Sequence, residues 1–117
     1  MEKNRRSTDR NKPTADLKGK FILYAGSNAY DVYLVRDVSP FGIGVKISEM
    51  LVMNTRIRLS YVENSNSYEV RGNVVWSSAD GTADDGTKLY ATGVLFTPMD
   101  TSINIEFYNL LMGYNPD

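Results

Sequence analysis

Apolar and polar residues alternate in short runs from Lys20 onwards, and residues that favour turns interrupt these runs at short intervals. A period of two places every second side chain on the same face of a strand, and the runs are rich in β-branched and aromatic residues. The pattern predicts a mainly β chain with six strands in an antiparallel sheet or barrel. The predicted strands are residues 20–25, 30–36, 43–47, 56–61, 68–76 and 90–96.

The same period predicts the direction of individual side chains. Arg56 and Arg58 alternate with apolar residues in the fourth run, so both are expected to face solvent. Trp76 shares a face with Val74 in the fifth run, and Phe96 lies on the apolar face of the sixth run. Both aromatic side chains are therefore predicted to lie in the core.

The period changes after Pro98. Four apolar residues then recur at the helical spacing i, i+4, i+7 and i+8, namely Ile103, Phe107, Leu110 and Leu111. Gly113 is placed to end the helix, and the N-cap candidates are Asp100, Thr101 and Ser102. The pattern predicts a short C-terminal helix that packs on the sheet and covers one end of a barrel.

The first 19 residues contain Pro13, lack apolar periodicity and are predicted to form a flexible basic arm. Residues 1–20 hold seven Lys and Arg residues against three Asp and Glu residues, a formal charge of +4, and the total of −1 leaves −5 for the remainder. A length of 117 residues with 42% hydrophobic content suits a single domain, over residues 20–117. A basic arm on an acidic body suggests an anionic partner, although charge alone equally allows a solvated terminus.

The residues that the chain lacks exclude several functional classes. It contains no cysteine and no histidine, which removes disulfides, thiolate and imidazole metal sites, cysteine nucleophiles and Ser-His-Asp triads. We therefore expect no enzymatic activity, no metal and no cofactor. Residues 1–20 lack the apolar segment of a signal peptide, and no run approaches the roughly 18 apolar residues of a membrane span. We expect a cytoplasmic protein without membrane insertion.

An acidic cluster follows the fifth run. Asp80, Asp84 and Asp85 superficially suggest a cation site, but their spacing does not match a calcium-binding loop. Residues 77–87 are polar and contain two Asp-Gly pairs, which favour left-handed turn positions. The cluster is therefore predicted to belong to a connection between two antiparallel strands.

Two short motifs stand apart from the strand pattern. The first is Arg-x-x-x-Arg at residues 6–10, and the second is Asp-x-Ser-x-x-Gly at residues 37–42. In this order, the first on a loop and the second at a strand end, they resemble the two-part motif of PilZ domains, which are bacterial receptors for the second messenger cyclic di-GMP. Residues 72–76 and 93–96 also resemble strand segments of that family. The resemblance spans nearly the whole chain and implies a six-stranded antiparallel β-barrel.

The resemblance also implies a cyclic di-GMP site formed by both motifs. Its arginines would supply planar donor groups for phosphate oxygens or for the guanine O6/N7 edge, and they can stack on purine faces. Asp37 would accept hydrogen bonds from guanine, Ser39 would donate or accept, and Gly42 would let the turn approach the ligand. The implied ligand-binding residues are Arg6, Arg10, Asp37, Ser39 and Gly42, with Arg5 as a secondary contact.

The arm is expected to fold over the barrel around the ligand and thereby relay the signal to a downstream protein in motility, polysaccharide synthesis or transcription. The expected state is a monomer or weak homodimer that binds no nucleic acid polymer. Two alternatives remain open. One is a PilZ-fold adaptor that works through protein contacts alone, and the other is a small barrel that binds single-stranded nucleic acid through its basic arm, against which the acidic body argues. Asp37 and Ser39 also suit an Asx or ST turn at a strand end, a role compatible with binding.

Overall fold

Strands form where the alternating runs predict them, with one additional break. The computed structural model describes residues 11–13 and 17–114, so the predicted site residues Arg5, Arg6 and Arg10 lie outside the described residues. A 3₁₀ turn at Pro98–Asp100 leads into helix α1, Thr101–Met112. The strands of this part of the chain are β1 (Lys20–Ala25), β2 (Asn28–Asp31), β3 (Leu34–Ser39), β4 (Gly42–Ile47), β5 (Arg56–Glu63), β6 (Asn66–Thr82) and β7 (Lys88–Phe96).

All seven of these strands lie in one antiparallel sheet with the order β2-β1-β5-β6-β7-β4-β3. The predicted mainly β fold with a C-terminal helix is confirmed, but the described sheet has one strand more than predicted and its hydrogen-bonded ladder does not close. The predicted strand 30–36 is divided because Val32 N–H donates to Phe21 O at 3.0 Å, whereas Tyr33 N–H donates to Lys46 O at 2.9 Å. This two-residue link joins the two edge strands, so the sheet curls until its edges approach each other.

The core lies between the inner face of the curled sheet and α1. Phe107 of the helix packs edge to face on Phe21 and Phe96, with ring centroids 5.8 and 6.2 Å apart. Phe96 is therefore buried as predicted, while Arg56 and Arg58 are exposed as predicted. Each fully buried aliphatic or phenyl side chain stabilises the fold by about 1.5–3 kcal/mol. The strands contribute, among others, Leu23, Val45, Leu59, Val70, Val74 and Val94.

Trp76 does not belong to this core, and the prediction for it was wrong. Its side chain is 39% exposed on the outer face of the sheet. Val74 pairs with Val94, yet Trp76 pairs with Gly93, so Val75 is an extra residue on β6. A bulge of this kind moves the following side chains to the opposite face of the strand.

Helix α1 begins and ends close to the predicted positions. Gly113 adopts a left-handed conformation with φ of 74°, and its N–H donates to Leu110 O at 3.1 Å, which ends the helix. Asp100 occupies the N-cap position, but its carboxylate binds Arg71 instead of capping. Ile103 was wrongly assigned to the buried face, because it is 48% exposed while Asn104 is buried and donates to Thr97 O at 2.9 Å.

The connection between β6 and β7 is a hairpin turn, as predicted, but it is shorter than residues 77–87. Strand β6 continues to Thr82, and Ala83 N–H donates to Thr87 O at 2.8 Å across the turn. The pKa of the Asp85 carboxyl is lowered by a hydrogen bond from the Thr87 side chain and, to a smaller extent, by one from the Thr87 N–H at 2.9 Å. Within the described ranges, no helix is long and apolar enough to cross a membrane.

Candidate ligand-binding site

The predicted site residue Ser39 holds the turn between β3 and β4. Its Oγ accepts hydrogen bonds from the N–H groups of Phe41 at 3.0 Å and Gly42 at 3.2 Å. These two bonds use both acceptor positions of the hydroxyl and leave its proton to donate. Ser39 is only 4% exposed, so the turn around it is fixed by the fold.

Gly42 starts β4 where the strand packs closely against β7. A β-carbon at this position would stand 2.5 Å from Val94 O, which no side chain tolerates. The need for glycine at position 42 therefore has a packing cause within the sheet.

A row of four paired residues crosses the outer face of strands β3, β4, β7 and β6. Asp37 pairs with Gly44, Gly44 pairs with Gly93, and Gly93 pairs with Trp76. A β-carbon on Gly44 would lie 3.0 Å from Asp37 Oδ1, and one on Gly93 would overlap the Trp76 indole. The carboxylate and the indole thus lean over two glycines. We call these four residues the glycine row.

A groove of about 550 Å³ adjoins the glycine row, a size within the range of small-molecule sites. Lys46 and Arg36 line this groove, and both face the carboxylate of Asp80. The Asp80 Oδ2 atom lies 3.6 Å from Lys46 Nζ and 3.9 Å from Arg36 Nε. The Arg36 guanidinium also lies 5.8 Å from the centre of the Trp76 ring, a cation–π distance. Three cations and two carboxylates give the groove a formal charge of +1. We call it the cationic groove, lined by Lys12, Leu34, Val35, Arg36, Asp37, Lys46 and Asp80.

The chain enters this region through an isolated antiparallel bridge between Asn11 and Val38. Asn11 N–H donates to Val38 O at 2.9 Å, and Val38 N–H donates to Asn11 O at 2.7 Å. The Asn11 side chain also donates to the hydroxyl of Tyr108 on α1 at 3.2 Å. Val38 separates Asp37 from Ser39, and Asn11 directly follows the first motif in sequence. The bridge therefore connects the two motifs.

A second attachment lies just before β1. Gly19 N–H donates to the Tyr61 hydroxyl oxygen at 2.8 Å, and that hydroxyl donates to the carboxylate of Glu63. Burial raises the pKa of Tyr61, and the hydrogen bond to Glu63 raises this pKa further. Leu17 packs against the core. Residues 11–13 and 17–19, the described part of the predicted arm, are thus attached to the sheet at Asn11 and at Gly19.

A model of the PilZ domain family matches residues 4–113. The chain belongs to this family. No curated protein matches its sequence. Within residues 11–13 and 17–114 of this PilZ domain, no group of three or more Asp, Glu, His or Cys residues could hold a metal ion.

Two solved structures share the fold. The PilZ domain with c-di-GMP of YcgR from Escherichia coli superposes with a TM-score of 0.64 at 9% identity, covering 90% of this chain and 87% of that chain. The K. pneumonia MrkH-c-di-GMP complex gives a TM-score of 0.59 at 14% identity and covers 97% of this chain. This PilZ domain corresponds to 54% of the MrkH chain. At these identities the likeness shows the fold.

The sequence pattern did not predict that four further side chains of the PilZ domain lie near the site. These are Arg36, Lys46, Trp76 and Asp80. Lys46 could have been found, because it alternates with Val45 and Ile47 and so lies on the outer face with Gly44. Arg36 is the bulged residue where the β3–β4 register shifts, so its direction does not follow from the period. Asp80 was assigned to a loop, but it lies on β6.

Proposed function

We propose that this PilZ domain is a non-catalytic receptor that binds cyclic di-GMP beside the cationic groove. The observation that carries the proposal is the bridge between Asn11 and Val38, because it joins the residue after the arginine motif to the centre of the Asp-x-Ser motif. The identity of the ligand is supported by the YcgR and MrkH structures, which are both complexes with c-di-GMP. The proposed contacts are Arg6, Arg10, Asp37, Ser39 and Gly42, with Arg5 as a secondary contact.

The chemistry of the ligand suits these groups. Cyclic di-GMP has two phosphates and two guanines, so its receptor needs both cationic donors and acceptors for the guanine edge. Asp37 is the proposed acceptor for guanine N1–H or the exocyclic amine. Because Ser39 already accepts two backbone hydrogen bonds, any ligand contact through its hydroxyl uses the proton as donor. Lys46 and Arg36 extend the positive charge across the outer face.

The magnitudes permit measurable affinity. A hydrogen bond to a charged group contributes roughly 1.5–3 kcal/mol, and a micromolar dissociation constant needs about 8 kcal/mol. Ordering a segment on binding costs about 2–5 kcal/mol. Several charge-assisted bonds therefore suffice for micromolar affinity after the ordering cost. The loss of two arginines removes most of the binding free energy that remains after this cost.

We further propose that the arm closes over the groove when the ligand binds and that a downstream effector protein recognises the closed form. The bridge at Asn11 supports this proposal because it provides a fixed point from which the arm extends. Amide hydrogen exchange of the full chain tests it: cyclic di-GMP should protect residues 2–11. Unchanged exchange in that segment, with binding intact, would contradict the relay mechanism.

The ligand proposal is tested by calorimetry with cyclic di-GMP on the native chain and on Arg6→Ala/Arg10→Ala. The double variant should bind at least about 150-fold more weakly, since it lacks two charge-assisted contacts that contribute roughly 1.5 kcal/mol or more each. Arg56→Ala is the control, because Arg56 is an exposed arginine on β5 outside the groove. Native affinity in the double variant would refute the arginine assignment. A native chain that does not bind would favour the adaptor without a ligand.

The same titration distinguishes a nucleic-acid binder. A single-stranded oligonucleotide is added at two salt concentrations, because binding to a phosphate backbone weakens steeply with salt. Salt-dependent oligonucleotide binding without a response to cyclic di-GMP would replace the proposed function with this alternative.

A further inference from the structure

One carboxylate in the cationic groove faces two cations from neighbouring strands. Asp80 lies on β6, Lys46 on β4 and Arg36 on β3. The Asp80 Oδ2 atom is 3.6 Å from Lys46 Nζ and 3.9 Å from Arg36 Nε. A single oxygen of Asp80 therefore stands between two positive groups in a position that an anion could take.

Neither contact has the length of a strong ion pair. Charge-assisted N–H···O bonds measure about 2.7–2.9 Å, and Arg58 with Glu69 and Arg71 with Asp100 reach 2.9 Å in this protein. Asp80 neutralises its two neighbours by proximity rather than through closely fitted hydrogen bonds. Its contribution to folding should be small, because exposed ion pairs add little to stability.

The two cations have other constraints on their positions. The Arg36 guanidinium lies 5.8 Å from the centre of the Trp76 ring, so it keeps an attractive neighbour when Asp80 is neutral. Lys46 lies on β4, which is paired on both sides by β3 and β7. Removal of the Asp80 charge should therefore leave both cations near the groove while making the groove more positive.

We propose that a phosphate of the ligand binds between Arg36 and Lys46, and that Asp80 is an internal counter-ion that occupies this position and thereby weakens the affinity of this domain for its ligand. The inference rests on the proposed function, because it concerns the phosphates of a cyclic dinucleotide. A bound phosphate must displace the Asp80 carboxylate from the two cations, and the two negative groups repel each other. Both effects weaken binding. Asp80 thus sets the ligand concentration at which the receptor responds.

Calorimetry of Asp80→Asn with cyclic di-GMP tests this inference. The variant should bind about fivefold more tightly, the factor that corresponds to an exposed pair of about 1 kcal/mol. Its affinity should also fall more steeply with salt, since more of the attraction is electrostatic. Asp80→Glu keeps a carboxylate at this position, so its affinity should be close to that of the native chain and not to that of Asp80→Asn. In a Lys46→Gln background the gain from Asp80→Asn should shrink.

The matched control is Asp84→Asn, the same change of charge at an exposed position of the neighbouring hairpin turn. An equal gain in this control would overturn the inference, because it would reflect net charge alone. Unchanged or weaker binding by Asp80→Asn, with the native chain binding, would overturn the inference and leave the proposed function standing. No binding by either the native chain or Asp80→Asn would contradict the proposed function itself, and the inference with it. Thermal unfolding confirms that each variant is folded.

Discussion

The indole of Trp76 lies directly over Gly93 on the neighbouring strand, so that its Nε1 and ring carbons occupy the place of a β-carbon. The bulge at Val75 turns the indole outward, and the absence of a side chain on Gly93 lets it lie flat against the sheet. The same indole contacts the Arg36 guanidinium. An aromatic side chain that the sequence pattern placed in the core thereby lies on the outer face beside Arg36, which lines the cationic groove.

Gly93→Ala should displace the indole and destabilise the domain by about 1–3 kcal/mol, because the added methyl overlaps a rigid ring. Trp76 is the single tryptophan of the chain, so its fluorescence spectrum should shift in the same variant. Chemical denaturation gives the free energy of unfolding. In a Trp76→Ala background the cost of Gly93→Ala should largely disappear. An equal cost in both backgrounds would show that the clash lies elsewhere.

Asn11→Pro should weaken cyclic di-GMP binding by about tenfold without unfolding the sheet, because proline removes the N–H that donates to Val38 O. Asn11→Ala is the control, since it keeps both backbone bonds and loses only the side-chain contact with Tyr108. Calorimetry compares the two variants. If Asn11→Pro binds as tightly as the native chain, the bridge does not guide the arm to the site.

Ser39→Ala should lower the free energy of unfolding by about 1–3 kcal/mol, because the partly buried N–H of Phe41 and the buried N–H of Gly42 lose their acceptor. Ser78→Ala, at an exposed position on β6, is the matched control and should change the stability by less than about 0.5 kcal/mol. Denaturant titration of both variants measures the difference. Equal stability of the two variants would mean that the turn finds other partners for these N–H groups.

The hydroxyl of Tyr61 should make the stability of the domain fall at alkaline pH. Burial and the hydrogen bond to Glu63 raise the pKa of its hydroxyl in the folded state above the ordinary value of 10.0, so the folded state holds this proton more tightly than the unfolded state. The resulting stability is complete below pH 10 and is lost as the pH rises through the folded pKa. Tyr61→Phe loses the hydrogen bonds with Gly19 and Glu63, so it should be less stable than the native chain near neutral pH. The difference should narrow above about pH 10, where ionisation destabilises only the native chain.

Urea denaturation of the native chain and Tyr61→Phe at several pH values measures this difference. Tyr33→Phe, which changes an exposed tyrosine, serves as the control. A difference between native chain and Tyr61→Phe that stays constant up to strongly alkaline pH would contradict the assignment to this hydroxyl.

The alternation of apolar and polar residues predicted most of the sheet because burial on one face imposes a period of two. The prediction failed where one strand carries an extra residue. Val75 and Arg36 are such residues, and each reverses the side chains beyond it. A bulge depends on how the partner strand packs, here on the space that Gly93 leaves for an indole. The period alone contains no information about that space.

The sequence predicts the local part of the candidate site and not the part that the sheet assembles from several strands. The strand-end motif gave Asp37 and Ser39 because turn chemistry is local, and the described turn has the expected hydrogen bonds. The cations that line the groove come from different strands, so their proximity follows from the sheet order, which the sequence pattern did not provide. The ligand contacts of Asp37, Ser39 and Gly42, like those of the arm arginines, stay predictions.

The bridge at Asn11 also has a consequence for self-association. β3 is an edge strand, and an edge with unsatisfied backbone groups is a template for adding a strand from another molecule. The N–H and C=O of Val38 are already engaged by Asn11. The segment around Asn11 therefore also shields the C-terminal end of this edge strand, so a chain that lost it would gain a surface prone to aggregation.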